Sequence, residues 1–363
     1  MAGNEGATDA LGHGLLRRRV ASAWPMARSL LHAGPLAPWR PLQGGVVATG
    51  VGSSEAHARY LAGLLRRFAG VPAWFEPLSA FLDPCFPARH GRDQTLVVFS
   101  QGLGPNAQIA LERRGEFGSV VLATSATEEG QRNSGRDGRA EWIARLRGEG
   151  ARVEWFPVED EYTILVRVIG PLCGMAAAWR LAASVPGHGL TTGTVLADRL
   201  DAWSSAPWPW FMAGTMRREP DQHRAGFTIV TGEALGGCAQ NVVAKFVEGL
   251  YWRGPRVVDV LGLAHGPLQQ LVASPEPVWV LGDDAMARRA FVTLREAGLS
   301  PRQVMIPSSF EQAPLAAEIL FNHVLLDMVE SLDVDQLNWP GKGRDAGLYG
   351  ISRREDVDET GGA

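Results

Sequence analysis

Two lysines stand out in a chain whose positive charge is otherwise carried by arginine. Of 35 basic residues among 363, only Lys245 and Lys342 have a primary amine. Arginine stays protonated and cannot condense with a carbonyl, whereas a lysine with a lowered pKa can form an imine or pass a proton. Both could be accidental survivors of a coding bias; the alternative is that each is there for its amine. Glu248 follows Lys245 by three residues, which places both on one face of a helix. A solvated ion pair is the ordinary meaning of that spacing. Here the surroundings are apolar, with Val242-Val243-Ala244 before, Phe246-Val247 between and Leu250-Tyr251-Trp252 after. A carboxylate and an amine on a half-buried helix have displaced pKa values, the setting in which general bases are found. His265 stands in Ala264-His265-Gly266-Pro267, where the Gly-Pro turn fixes it at a loop start. Alone it reads as structural. With Lys245, Glu248 and Lys342 it completes a set of amine, carboxylate and imidazole that suffices for sugar-ring opening and carbonyl–enol proton transfer.

A second set is made of small hydroxyl residues in turns. Gly52-Ser53-Ser54 follows the apolar run Val46 to Thr49, and Ser100-Gln101-Gly102 follows Thr95 to Phe99; Thr124 closes a third run from Ser119. Such residues after strands donate hydrogen bonds to an anion or a polyhydroxylated ligand without covering the backbone N–H groups. Helix capping explains the same serines without a ligand.

The elements that must hold these residues alternate. Strand, turn and helix succeed one another from Val46, with helices expected over Glu55 to Phe68 and Ala107 to Arg114. A second alternating block runs from Phe227, with a Gly-rich loop at 232–237, a helix over Cys238 to Trp252, and strands at Val257 to Val260, Val278 to Leu281 and Gln303 to Ile306. The pattern predicts an α/β protein with two doubly wound parallel sheets, flavodoxin-like in layout. Boundaries are expected at 1–44 for a leader helix interrupted near Pro25 and a Pro-rich linker, 45–200 for the first domain, 201–330 for the second, and 331–363 for a tail with a disordered end. The Trp/Pro-rich stretch Trp203 to Met212 reads as the separator, and Pro314 opens the last helix.

Composition narrows the function classes. At 45% hydrophobic and 20% charged, with a net charge of −4 and no basic block, the chain suits neither a nucleic-acid partner nor disorder. No apolar run spans a membrane and the polar, acidic start is not a signal peptide, so a cytoplasmic protein is expected. Cys85, Cys173 and Cys238 are odd in number and widely spaced, which predicts buried thiols and no metal site.

These motifs resemble the tandem sugar isomerase (SIS) domain family, and within it the isomerase half of glucosamine-6-phosphate synthases, over roughly residues 14 to 345. Arg18 to Leu31 is similar to the proline-bearing helix before the family's first domain. Gly52-Ser53-Ser54 stands for its Gly-Thr-Ser turn, and Ser100-Gln101 for the start of its Ser-Gln-Ser-Gly-Glu-Thr phosphate loop. Lys245-Phe246-Val247-Glu248 stands on Lys-x-Lys-Glu and Ala264-His265-Gly266-Pro267 on Lys-His-Gly-Pro. The tail Asp333 to Lys342 matches Asp-Val-Asp-x-Pro-Arg-Asn-Leu-Ala-Lys in length, with lysine in the last place. Both lysines of the chain thus fall on family lysines.

The resemblance implies that Glu248 moves a proton between C1 and C2 of an open-chain sugar, and that His265, supplied across a homodimer interface, assists ring opening. It further implies that Lys342 forms an imine with the carbonyl or protonates it, that Lys245 steadies the enolate-like oxygen, and that Gly52, Ser53, Ser54, Ser100, Gln101, Gly102 and Thr124 bind substrate. No metal or cofactor is implied. Three departures qualify it. Gly102-Leu103-Gly104-Pro105 replaces the phosphate loop's hydroxyl donors, and Pro105 has no N–H. Asn241 replaces a further glutamate, and no glutaminase domain with its nucleophilic cysteine precedes the first domain. The expected activity is aldose–ketose isomerisation of a sugar-like substrate other than a standard hexose 6-phosphate, with or without amination or deamination at C2. Ammonia would be free or supplied by a separate protein. A non-catalytic sugar-binding sensor is the alternative.

Overall fold

The computed structural model describes residues 9–83, 86, 91–158 and 161–351. The chain divides into two compact units that are not contiguous stretches. The first comprises Met26–Glu159, Cys173–Thr194 and Gly341–Ala363; the second comprises Met1–Pro25, Asp160–Leu172 and Val195–Pro340. The division falls inside two helices, His13–His32 and Ile169–Ala183.

In the first unit five parallel strands, β1 (Val46–Thr49), β2 (Ala73–Phe75), β3 (Thr95–Phe99), β4 (Ser119–Thr124) and β5 (Arg152–Trp155), lie in the order β2-β1-β3-β4-β5. Every residue of β1 and β3 is buried, as sheets covered on both faces require. Val47, Leu96, Val98 and Leu122 join Leu103, Ile109, Phe117, Ile143 and Leu146 in one core. The Ser53–Phe68 helix buries Tyr60, Leu61, Leu64 and Leu65. β2 and β5 have no sequence expectation: they are short edge strands, and the half-polar Arg-Val-Glu-Trp of β5 lacks an apolar run.

The second unit repeats the layout with β6 (Thr228–Thr231), β7 (Arg256–Asp259), β8 (Val278–Leu281) and β9 (Arg302–Val304), ordered β7-β6-β8-β9 and all parallel. Val230, Val258, Val278 and Val280 pack with Leu263, Leu271 and Leu294. The Ala239–Gly249 helix lies directly on the Ala313–Ser331 helix, and Phe246 meets Phe227, Phe321 and Trp252. The contact needs a glycine: a Cβ at Gly249 would come within 2.3 Å of a Leu325 methyl carbon.

Three local expectations differ from the structure. The leader helix is continuous through Pro25, because Pro25 and Ala21, whose carbonyl loses its bond, both lie on the exposed side, while Leu16, Val20, Ala23 and Ala27 are buried. The stretch around Trp203 to Met212 is no separator. It belongs to two helices, Gly193–Ser204 and Trp208–Arg218, with Pro207 and Pro209 in the starting positions where a missing N–H costs nothing. The loop at 232–237 contains a helical turn, Glu233–Gly236. Cys173 and Cys238 are buried thiols outside any disulfide, while Cys85 and the tail beyond 351 lie outside the described residues.

His223 gives the second unit a pH dependence. It is fully buried, accepts from Trp279 Nε1 through Nε2 at 3.2 Å, and its Nδ1 lies 2.9 Å from the Glu219 carbonyl oxygen. Burial holds its pKa below the ordinary 6.5, against the opposing pull of the Glu219 carbonyl. A histidine with a depressed folded pKa takes up protons more readily when unfolded, so its contribution is present above about pH 6.5 and is lost as pH falls. Melting temperature should therefore fall more steeply below pH 6.5 in the native chain than in His223→Phe; equal slopes would exclude this role.

Candidate active site

Lys245 and Glu248 share the Ala239–Gly249 helix, but they are not each other's ion-pair partner. The Lys245 side chain is 3% exposed and its Nζ lies 3.1 Å from Glu318 Oε2 on the Ala313–Ser331 helix. The same ammonium donates to the Arg167 carbonyl oxygen at 2.6 Å. Asn322, one turn after Glu318, donates to the adjacent Val168 carbonyl at 3.3 Å. The segment before the Ile169–Ala183 helix is thus held by two side chains of the second unit. Glu161 secures it from the other end, its carboxylate accepting from the N–H groups of Val168, Ile169 and Gly170 at 3.0, 2.9 and 2.7 Å.

Glu248 is half-buried in this setting. Burial raises its pKa above the ordinary carboxylate value, and the charges of Lys245 and Arg167 pull in the opposite direction. A carboxylate that is partly desolvated and acted on by two cations is a suitable general base: it takes up a proton more readily than a solvated one yet can still ionise. One Lys245 donor is hydrogen-bonded, to the Arg167 carbonyl, and Glu318 meets the charge of the ammonium as an ion pair. His265 follows the short turn Gly262–Ala264 and is exposed. Lys342 belongs to the first unit and is likewise exposed.

Arg167, Glu318, Asn322 and Glu161 were not among the sequence candidates. Glu318 carried a signal: it is a carboxylate within Ala-Pro-Leu-Ala-Ala-Glu-Ile-Leu-Phe, and an acid inside so apolar a helix needs a cation.

In the first unit the strand order reverses between β1 and β3, the point where open parallel sheets bind ligands. The loops leaving those neighbouring strands carry Gly52-Ser53-Ser54 and Ser100-Gln101-Gly102. Gly52 has φ 60° and precedes the Ser53–Phe68 helix, whose first N–H groups no side chain at that position caps. Ser54 is buried; Ser53, Ser100, Gln101 and Gly102 are half-buried. Thr124 is fully buried and shapes the loop: its hydroxyl donates to the Gln101 carbonyl at 3.2 Å and accepts from Ala126 N at 3.1 Å. Ser125 donates to the same carbonyl through Oγ and N, and Arg139 Nη1 donates to the Gly102 carbonyl. Leu103 is buried at φ 48°, a left-handed conformation unusual for leucine. The switch point of the second unit differs: Asp284 caps the helix after β8 by accepting from Ala287 N at 2.7 Å, so a carboxylate of the chain already occupies that end.

No family model matches the sequence, and no curated protein matches it. Solved structures do match. The C-terminal domain of glucosamine-fructose-6-phosphate aminotransferase from Francisella tularensis superposes with a TM-score of 0.66 at 12% identity, over 92% of this chain and 100% of that one. The chain has the tandem SIS fold. Tagatose-6-phosphate ketose/aldose isomerase from Escherichia coli has it too, with a TM-score of 0.61, 13% identity and coverage of 94% and 99%. So does glucosamine-6-phosphate deaminase from Thermotoga maritima, with a TM-score of 0.61, 15% identity and coverage of 87% and 94%. No helix among the described residues is long and apolar enough to cross a membrane, and no group of described His, Cys, Asp and Glu side chains could hold a metal ion.

Proposed function

We propose that this tandem SIS chain is an isomerase of a sugar or sugar-like carbonyl compound, with Glu248 as the base. The observation that carries the reading is a half-buried carboxylate one turn from the buried Lys245 on an apolar helix, with the charges of Lys245 and Arg167 acting on it. Glu248 removes the proton from the hydroxyl-bearing carbon beside the carbonyl, giving an enediolate, and as the acid so formed returns it to the former carbonyl carbon, while the hydroxyl proton passes to the former carbonyl oxygen and both oxygens are kept. The roles of His265 in ring opening and of Lys342 in forming an imine with, or protonating, the carbonyl rest on the resemblance alone. So do dimerisation and any amination or deamination at C2, with ammonia free or delivered by a separate protein.

The substrate is not a standard hexose 6-phosphate. Around β3 the hydroxyls of Thr124 and Ser125 are turned onto the Gln101 carbonyl, and Pro105 removes one N–H from the helix start that would face a phosphate. The same self-bonded loop favours a second reading, a sugar-binding protein without turnover. Aldoses and ketoses, phosphorylated and not, incubated with the full chain in deuterated water separate the two. An isomerase incorporates deuterium at C2 of at least one of them, while a binder shifts ligand resonances and incorporates none.

A further inference from the structure

Lys245 is the cation nearest the base on its own helix, and it needs a counter-charge. Asn241, one turn earlier on the same face, is neutral, and Glu248 is not its ion-pair partner. The counter-charge comes from another element: Glu318, 1% exposed, on the Ala313–Ser331 helix. The groups whose charges act on Glu248 are Lys245 from its own helix and Arg167 from the segment before the Ile169–Ala183 helix, and Glu318 is paired with the first of them. Two carbonyls of that segment are fixed from these helices, Arg167 by Lys245 and Val168 by Asn322.

We propose that Glu318 is a positioning residue for Glu248: by pairing with Lys245 it fixes that ammonium on the Arg167 carbonyl and offsets the charge of the one cation on the base's own helix. With part of the Lys245 charge offset in this way, the base keeps a proton affinity high enough to abstract and return a proton. If Glu318 loses its charge, the Lys245 cation acts undamped on Glu248 and favours its carboxylate form. If both members of the pair become neutral, one of the two cations acting on Glu248 is gone, and the protonated form is favoured instead. The two changes act in opposite directions, which a purely structural contact would not produce.

This inference rests on the reading of Glu248 as the base only for its catalytic consequence. Its test needs no substrate, so its failure and the failure of the isomerase reading are distinguishable. The full chain labelled with ¹³C at the glutamate carboxyl carbon is titrated by NMR, and the Glu248 resonance is assigned by its loss in Glu248→Gln. In Glu318→Gln the Glu248 titration moves to lower pH, by about tenfold in proton affinity. In Glu318→Gln with Lys245→Met it moves to higher pH, and Glu318→Asp returns it towards the native position. Should Glu318→Gln fail to fold, the double variant decides, because a neutral replacement of both members leaves no unpaired charge in the core. A Glu248 titration that stays in place in the folded variants, or that moves in the same direction in both, overturns the proposal.

Discussion

Glu248→Gln should lower the rate of deuterium incorporation by about a thousandfold while raising the melting temperature at neutral pH by about 2 °C. The loss follows from chemistry: an amide keeps the shape of the carboxyl group but cannot accept the substrate proton. The gain follows from linkage. Burial raises the folded pKa of Glu248, so the unfolded chain binds fewer protons at this position than the folded one between the two pKa values. Stability therefore falls as pH rises from the ordinary carboxylate value of 4.5 through the raised folded value, and the ionised form is a burden on the fold at neutral pH. Glutamine never ionises, so the stabilisation should be present at pH 7 and absent below about pH 4.5. Native turnover should rise with pH as Glu248 loses its proton, with its acid limb above the ordinary carboxylate range. Melting curves and exchange rates at pH 4 and pH 7 check both halves. A variant that exchanges at the native rate, or is destabilised equally at both pH values, would remove Glu248 from its proposed role.

The fold could be read from strands that are buried on both faces. Val46 to Thr49, Thr95 to Phe99 and Val278 to Leu281 are uninterrupted apolar or β-branched runs ended by glycine or serine, and each is a strand with the expected bounds. Edge strands could not be read this way, since β5 buries none of its four residues fully and its arginine and glutamate bond to each other. The helix at 208–218 was hidden by tryptophan and proline, whose usual meaning as punctuation fails at a helix start.

For the candidate site, sequence spacing put Lys245 and Glu248 on one face but could not say which carboxylate the lysine would choose. Exposed i,i+3 pairs are worth only tenths of a kcal/mol. A buried ammonium must instead be met by the acceptors that tertiary packing brings, here Glu318, 73 residues further along the chain, and a main-chain carbonyl. Sequence distance hides such partners. Their trace is a polar residue out of place in an apolar helix, and Glu318 and Asn322 both qualify.

Glu161→Ala should be the most destabilising of the single changes considered, by about 3 kcal/mol or more, because hydrogen bonds to a charged group contribute about 1.5 to 3 kcal/mol each and the N–H groups left behind are buried. Glu161 has no exposed surface, and its two carboxylate oxygens take three successive N–H groups at the start of the Ile169–Ala183 helix. Those donors have no partner within the helix, and the positive end of the helix adds to the attraction for a carboxylate. Arg19 Nη1 donates to the Glu161 carbonyl at 3.1 Å, so the main chain is fixed along with the side chain. Glu161→Gln keeps one acceptor oxygen and should lose roughly half as much. In a unit of this size 3 kcal/mol corresponds to a fall in melting temperature of about 6 to 12 °C, which calorimetry resolves easily. Because the same segment carries the Arg167 and Val168 carbonyls that Lys245 and Asn322 hold, loosening it should also disturb Glu248. The Glu248 carboxyl resonance of Glu161→Gln, recorded well below its melting temperature, should be broadened or displaced from the native titration. A native melting temperature in Glu161→Ala would mean that the three N–H groups find other acceptors, and the segment would then not depend on this carboxylate.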